Sequence, residues 1–220
     1  MNLGVIFDSD GVVVDSEHQS LASFKDAIAE QGINLSDEDL WQCCGLTDEA
    51  IIQQLQKKYT VTIDLQRFKK RKFELYFRYV DEQGLRIFPG VFELLDSLER
   101  ENIPYALASS GPQKKIEFNL TKVRLLDRFI TIISGEDVVE SKPAPFIFLK
   151  AAEKIGRNPA DCVVIEDSPN GLLGAKRAGM KSIALRTTFT DDALLAEATH
   201  IVDSLQDISV PLLKSLIQSK

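Results

Sequence analysis

Short apolar runs recur along the chain with room for a helix between them. They are Leu3-Gly4-Val5-Ile6-Phe7, Tyr105-Ala106-Leu107-Ala108, Ile130-Thr131-Ile132-Ile133, Cys162-Val163-Val164-Ile165 and Ser182-Ile183-Ala184-Leu185. Each is too short for a helix, and none alternates polar with apolar residues. Strands buried on both faces read this way, as in a parallel sheet covered by helices. Helical patterns fill the gaps: Val91 to Arg100 stops at Asn102-Ile103, Ala144 to Ile155 at Gly156, and Gly171 to Ala178 at Gly179-Met180. A Gly or Asn that tolerates the left-handed conformation, followed by an apolar residue, ends a helix. Ser109-Ser110-Gly111-Pro112 and Ser168-Pro169 place a proline near a first helical position behind a candidate serine cap. Repeated strand–helix–strand units predict an α/β fold with a doubly wound parallel sheet.

One stretch departs from this alternation. From Asp15 to about Arg86 only helical patterning is present. Leu21, Phe24 and Ile28 share a face of a first helix that stops at Gly32-Ile33. Ser36 and Asp39 fit a capping box for a second. Ile51, Ile52, Leu55 and Tyr59 mark a third, and Leu65, Phe68, Phe73 and Tyr76 a longer fourth. A helical unit is therefore expected as an insertion after the first strand, over residues 15–86, with residues 1–14 and 87–220 forming the sheet domain.

The 220 residues suit one compact domain with a modest insertion. A net charge of -7 argues against a nucleic-acid footprint. The densest basic run, Lys69-Lys70-Arg71-Lys72, spreads around a helix among acidic neighbours, as a solvated face does. No apolar stretch approaches a membrane span, and the first residues do not read as a signal peptide. Cys43, Cys44 and Cys162 form no metal-ligand spacing, so a reduced, cytoplasmic protein is expected. Nothing demands an obligate partner, and a monomer is expected.

In open α/β sheets, ligands bind beyond the carboxyl ends of the strands. Four of the apolar runs lead into reactive groups. The first gives Asp8-Ser9-Asp10-Gly11. One of these carboxylates can attack phosphorus, the other can carry a proton, and Gly11 lets the backbone approach a ligand. The second gives Ser109, Ser110 and Gly111, whose hydroxyls and N–H groups at a helix start suit an anion. Lys142 follows the third and offers a positive charge. Glu166 and Asp167 follow the fourth and are hard ligands for a cation such as Mg²⁺. Each motif alone has an ordinary reading as a turn, a cap, a solvated lysine or helix-start acids. Together they complement one another. Four acids near an anionic phosphate would repel it and raise their own pKa values unless a divalent cation and Lys142 balanced the charge.

The run Asp8-Ser9-Asp10-Gly11-Val12-Val13-Val14-Asp15-Ser16-Glu17, with Ser109, Lys142-Pro143 and Glu166-Asp167-Ser168 in that order, resembles the four motifs of the haloacid dehalogenase-like superfamily. The similarity is to its β-phosphoglucomutase and phosphoglycolate-phosphatase branch, and it spans nearly the whole chain. It implies a Rossmann-like core with an α-helical cap. It also implies an Mg²⁺-dependent hydrolase acting on a small phosphorylated metabolite through an aspartyl phosphate. Carried over on that resemblance, Asp8 is the nucleophile. Asp10 is the general acid/base, and its carbonyl is a metal ligand. Ser109 and Lys142 hold the phosphoryl group. Asp167 ligates the metal, with Glu166 as a further ligand or behind it. The cap loop Gly45-Leu46-Thr47-Asp48-Glu49 is expected to close over the site, with Glu17, Thr47 and Asp48 setting substrate choice.

The branches differ in chemistry. Asp10 with the Glu166-Asp167 pair departs from the dehalogenases, and Asp10 departs from the phosphonatases. The mutases carry a cap-loop arginine where this chain has Asp48, a histidine at the position of Ser20, and Ser-Lys in place of Gly111-Pro112. Water is therefore the expected acceptor. The run from Ser109 to Lys115 also resembles phosphatases of sugar or sugar-acid phosphates.

Overall fold

The computed structural model describes residues 2–36, 39 and 48–218. Cys43, Cys44, Thr47 and the body of the second expected cap helix lie outside the described residues. The chain divides into two units, Met1–Asp15 with Leu85–Lys220, and Ser16–Gly84.

The larger unit is built on six strands: β1 (Gly4–Phe7), β4 (Tyr105–Ala108), β5 (Ile132–Ile133), β6 (Cys162–Glu166), β7 (Lys181–Leu185) and β8 (His200–Val202). They form one parallel sheet in the order β5-β4-β1-β6-β7-β8. The chain runs outward from β1 through β4 to β5, then returns to the other side of β1 with β6. That reversal opens a crevice at the carboxyl end of β1, where α/β sheets bind ligands.

Both faces of the sheet are covered, which explains four of the non-alternating runs; the third is corrected, because only Ile132–Ile133 forms the edge strand β5 and Ile130 is exposed. On one face Val5, Phe7, Leu107, Val163 and Ile165 pack with α4 (Val91–Arg100), α5 (Gln113–Lys122) and α8 (Val210–Gln218). On the other, Ile6, Ala106, Ala108 and Val164 meet α6 (Phe146–Lys154) and α7 (Pro169–Arg177). This is the Rossmann-like α/β architecture. Where the chain leaves the sheet domain and returns, β2 (Val14–Asp15) pairs antiparallel with β3 (Arg86–Ile87), a two-residue ribbon that no periodicity announces.

The helix stops read from sequence are left-handed: Asn102 has φ 52°, Gly156 φ 67° and Gly179 φ 74°. The two candidate serine caps differ. Ser168 Oγ accepts the Gly171 N–H at 3.1 Å and caps α7. At α5 the cap residue is Pro112, and Ser109 Oγ instead accepts the Gly111 N–H at 3.2 Å, which keeps that serine at the strand tip.

The smaller unit contains α1 (Glu17–Ala29), α2 (Asp48–Tyr59) and α3 (Leu65–Gln83). Its core includes Phe24, Ile28, Ile52, Leu55, Phe68, Leu75 and Tyr79. The expected face of α1 is corrected at one position: Leu21 is exposed, while Ser23 and Ala27 are buried with Phe24 and Ile28. Asp39 and Ser36 form the expected reciprocal box, Ser36 N–H to Asp39 Oδ2 at 2.8 Å and Asp39 N–H to Ser36 Oγ at 3.2 Å. Lys58 and Tyr59 also donate to the buried Asp39 carboxylate, each at 2.7 Å, and these donors hold it well below the usual carboxylate range. The basic run on α3 is a salt-bridged face: Lys69 pairs with Glu49, Arg71 with Glu30 and Glu74, and Lys72 with Asp48.

Candidate active site

Each central strand delivers a polar residue at its carboxyl end. Asp8 follows β1 directly, and its N–H donates to Ile165 O at 2.9 Å, so the tips of β1 and β6 stay in register. Beyond it the backbone folds tightly. The Val13 and Val14 N–H groups donate to Ser9 O at 2.9 and 3.0 Å, and the Gly11 N–H donates to Val14 O at 3.0 Å. Gly11 has φ 86°, and a Cβ there would lie 2.0 Å from Asp167 Oδ2. Only glycine fits, because the turn needs a left-handed residue and Asp167 occupies the space a side chain would fill.

Glu166 ends β6 and is buried. Its Oε2 accepts the Asp167 N–H at 2.8 Å, the Ser168 N–H at 2.7 Å and the Ser168 hydroxyl at 2.9 Å. Its Oε1 accepts from Lys142 Nζ at 2.8 Å. Gly171, in the first turn of α7, permits this packing, since a Cβ there would lie 1.7 Å from Glu166 Oε1. The Lys142 ammonium also donates to Asp8 Oδ1 and, at 3.2 Å, to Ala108 O beside Ser109. Its side chain is only 7% exposed, and it lies 5.0 Å from the centre of the Phe148 ring, a cation–π contact. The peptide between Lys142 and Pro143 is cis.

Ligand oxygens of Asp8, Glu166 and Asp167 lie within 4.8 Å of one another, and all three residues are buried. Burial pushes the Asp8 carboxyl up to about 7. Lys142 opposes that rise, and Glu166 adds to it. Asp167 is raised well above the carboxylate range by burial, then by the charges of Glu166 and Asp8, while the Thr188 hydroxyl that donates to it pulls the other way. Burial lowers Lys142, but Asp8 and Glu166 outweigh that and hold it above the ordinary lysine range. Three buried carboxylates against one ammonium leave negative charge uncompensated, and the donors are hard oxygens. That set fits a small divalent cation. Both Glu166 oxygens already accept hydrogen bonds, so Asp8 and Asp167 are the better placed to take it.

The other expected residues are distributed as follows. Asp10 is half-buried and pairs with Lys115. Ser109 is buried at the end of β4, Ser110 is exposed and Gly111 is half-buried. Glu17 is exposed at the start of α1, and Asp48, at the start of α2, is paired with Lys72; both belong to the smaller unit. Thr47 lies outside the described residues.

The motifs do not single out three residues that touch the candidate site: Lys115, which pairs with Asp10, Thr187, which bonds Gly11, and Thr188, which bonds Asp167. The Thr187 hydroxyl donates to Gly11 O at 2.5 Å and ties the β7 tip to the Asp8–Gly11 turn. Its signal was available, because Arg186-Thr187-Thr188 follows the fifth apolar run just as Asp8 follows the first. Lys115 could be found only by knowing that the first turn of α5 faces the site.

A family model described as haloacid dehalogenase-like hydrolase matches residues 5–185. The chloroplastic protein Suppressor of Quenching 1 of Arabidopsis thaliana is 33% identical over 94% of this chain, which spans only 20% of that protein's length. Hexitol phosphatase B of Escherichia coli is 31% identical over 83% of this chain and 83% of its own. Among solved structures, a β-phosphoglucomutase from Clostridium difficile, 25% identical, matches with a TM-score of 0.85 over 99% of this chain and 98% of that one.

Proposed function

Because this chain belongs to the haloacid dehalogenase-like hydrolases, we propose that it is a phosphatase of small phosphate monoesters, of the sugar or sugar-acid phosphate class. The observation that carries this reading is the buried Asp8 carboxylate, held by Lys142 and set beside Asp167 at the crevice of the sheet. The hexitol phosphatase relative supports the substrate class.

In the proposed reaction Asp8 attacks phosphorus, forming an acyl phosphate as the ester P–O bond breaks. Asp10 gives a proton to the departing oxygen, then takes one from the water that hydrolyses the phosphoenzyme. Lys142 and Ser109 hold the equatorial oxygens in place. Asp8, Asp167 and the Asp10 carbonyl would hold Mg²⁺, which when bound neutralises charge on the phosphoryl oxygens. Glu166 fixes Lys142 and the start of α7 behind that site.

Phosphate release across a panel of sugar and sugar-acid phosphates with Mg²⁺ tests the proposal. Folded protein that releases none from any ester would refute it. A second reading, a phosphosugar mutase using the same aspartyl phosphate, is favoured by the likeness to β-phosphoglucomutase. Against it stand Asp48, Ser20 and Gly111-Pro112, where the mutases carry groups for a second phosphate. Glucose 6-phosphate formed from β-glucose 1-phosphate with a bisphosphate primer, and no free phosphate, would reverse the choice.

A further inference from the structure

Lys115 stands 105 positions from Asp10 in sequence, yet its Nζ lies 3.0 Å from Asp10 Oδ2. Its side chain is 14% exposed, and that of Asp10 is 33% exposed. A lysine this covered is uncommon, and its stem starts from a fixed point. The next residue, Ile116, is 2% exposed in the main core, and the Lys115 N–H donates to Pro112 O at 3.0 Å. Asp10 is fixed from its own side by the tight turn that ends at Val14. The ion pair thus joins two fixed elements, the turn after β1 and the first turn of α5. A carboxylate that must donate and then accept a proton within one turnover has to keep the same orientation through both steps.

We propose that Lys115 is a positioning residue for Asp10, holding its carboxylate in the rotamer that serves both the leaving oxygen and the attacking water. The inference rests on Asp10 being the acid/base of the phosphatase reading above.

The test compares wild type, Lys115→Met and Lys115→Arg with Mg²⁺, using p-nitrophenyl phosphate and a sugar phosphate. When Asp8 attacks p-nitrophenyl phosphate, the aryl P–O bond breaks and p-nitrophenolate leaves without needing a proton. Hydrolysis of the resulting acyl phosphate still requires a base to take a proton from water. Lys115→Met should therefore show a pre-steady-state burst of p-nitrophenolate while its steady-state kcat falls about tenfold or more, a part of the roughly 10²–10⁴-fold a positioned acid/base supplies. Phosphorylated Asp8 should accumulate, visible by intact-mass measurement after acid quench. KM should fall with kcat, and Lys115→Arg should restore part of the loss.

A raised KM at unchanged kcat would make Lys115 a substrate-binding cation and overturn the proposal. Burst and steady state declining together, with a lowered Tm, would reduce it to a structural contact and also overturn it. Wild type that turns over and a Met variant that matches it would fail only the Lys115 assignment. Wild type inert toward both esters would fail the phosphatase reading beneath it.

Discussion

Lys142 Nζ lies 2.8 Å from Glu166 Oε1 while also bonding Asp8, so one ammonium joins the tips of β1 and β6. Removing it would leave two buried carboxylates facing each other. Breaking a buried pair from one side costs roughly 3–5 kcal/mol. Lys142→Met is therefore expected to lose turnover and to lower unfolding free energy by about that amount in urea titrations without metal. A Met variant as stable as wild type would show that the ammonium does not balance the cluster.

Asp8→Asn keeps the shape of the proposed nucleophile and removes its charge. Turnover should vanish and the protein should stay folded. Its Tm at pH 8 without metal should equal or exceed that of wild type, because burial already disfavours the charged form of Asp8. Residual hydrolysis above a few per cent of wild type, after contaminating phosphatase is excluded, would count against Asp8 as nucleophile.

The raised Asp8 pKa sets a pH dependence. In the folded protein it is about 7, above the ordinary aspartate value of 3.8, so the folded state binds the proton more tightly. Stability is then greatest at low pH on this account. It declines as pH rises from about 4 to about 7, by at most ~1.4 kcal/mol for each pH unit. Asp167 moves in the same direction. Lys142, raised above its ordinary range, contributes a constant amount throughout this window. Metal-free protein should lose Tm from pH 5 to pH 8. Mg²⁺ should raise Tm more at pH 8 than at pH 5, because it binds the deprotonated carboxylates. A flat profile, or an Mg²⁺ effect larger at low pH, would contradict the charge accounting.

Gly11→Ala places a methyl group where Asp167 Oδ2 lies and asks alanine to hold φ 86°. Asp167 must swing away or the turn must open, and either separates it from Asp8. A circular dichroism spectrum and a cooperative unfolding transition like those of wild type are the control that the variant folds. Its Mg²⁺-induced Tm rise should shrink and its kcat should fall at least tenfold, roughly the scale of a displaced ligand neighbour. An unchanged Mg²⁺ response would place the cation elsewhere.

The layered α/β architecture and the reactive groups that follow four of the apolar runs are legible in the order of residues alone. The reason is burial: a strand covered on both faces must be apolar throughout, so β1, β4 and β6 appear as continuous runs, and Asp8, Ser109 and Glu166 at their ends mark the rim, while Lys142 lies nine positions beyond the end of β5. The order of residues also marks the helix stops at Asn102, Gly156 and Gly179, because a left-handed turn leaves a residue-type signature. Tertiary structure alone decided what those tips touch. Lys115 reaches Asp10 because α5 is laid against the sheet by Ile116 and Leu120. Ser109 turns its hydroxyl to the Gly111 N–H and leaves the cap to Pro112. β2, β3 and β8, at two or three residues each, are too short to carry a period and exist only through the partners they pair with. Leu21 is exposed on a helix whose spacing predicts it buried, because the neighbouring helices, rather than the periodicity of α1, choose which of its apolar residues face inward.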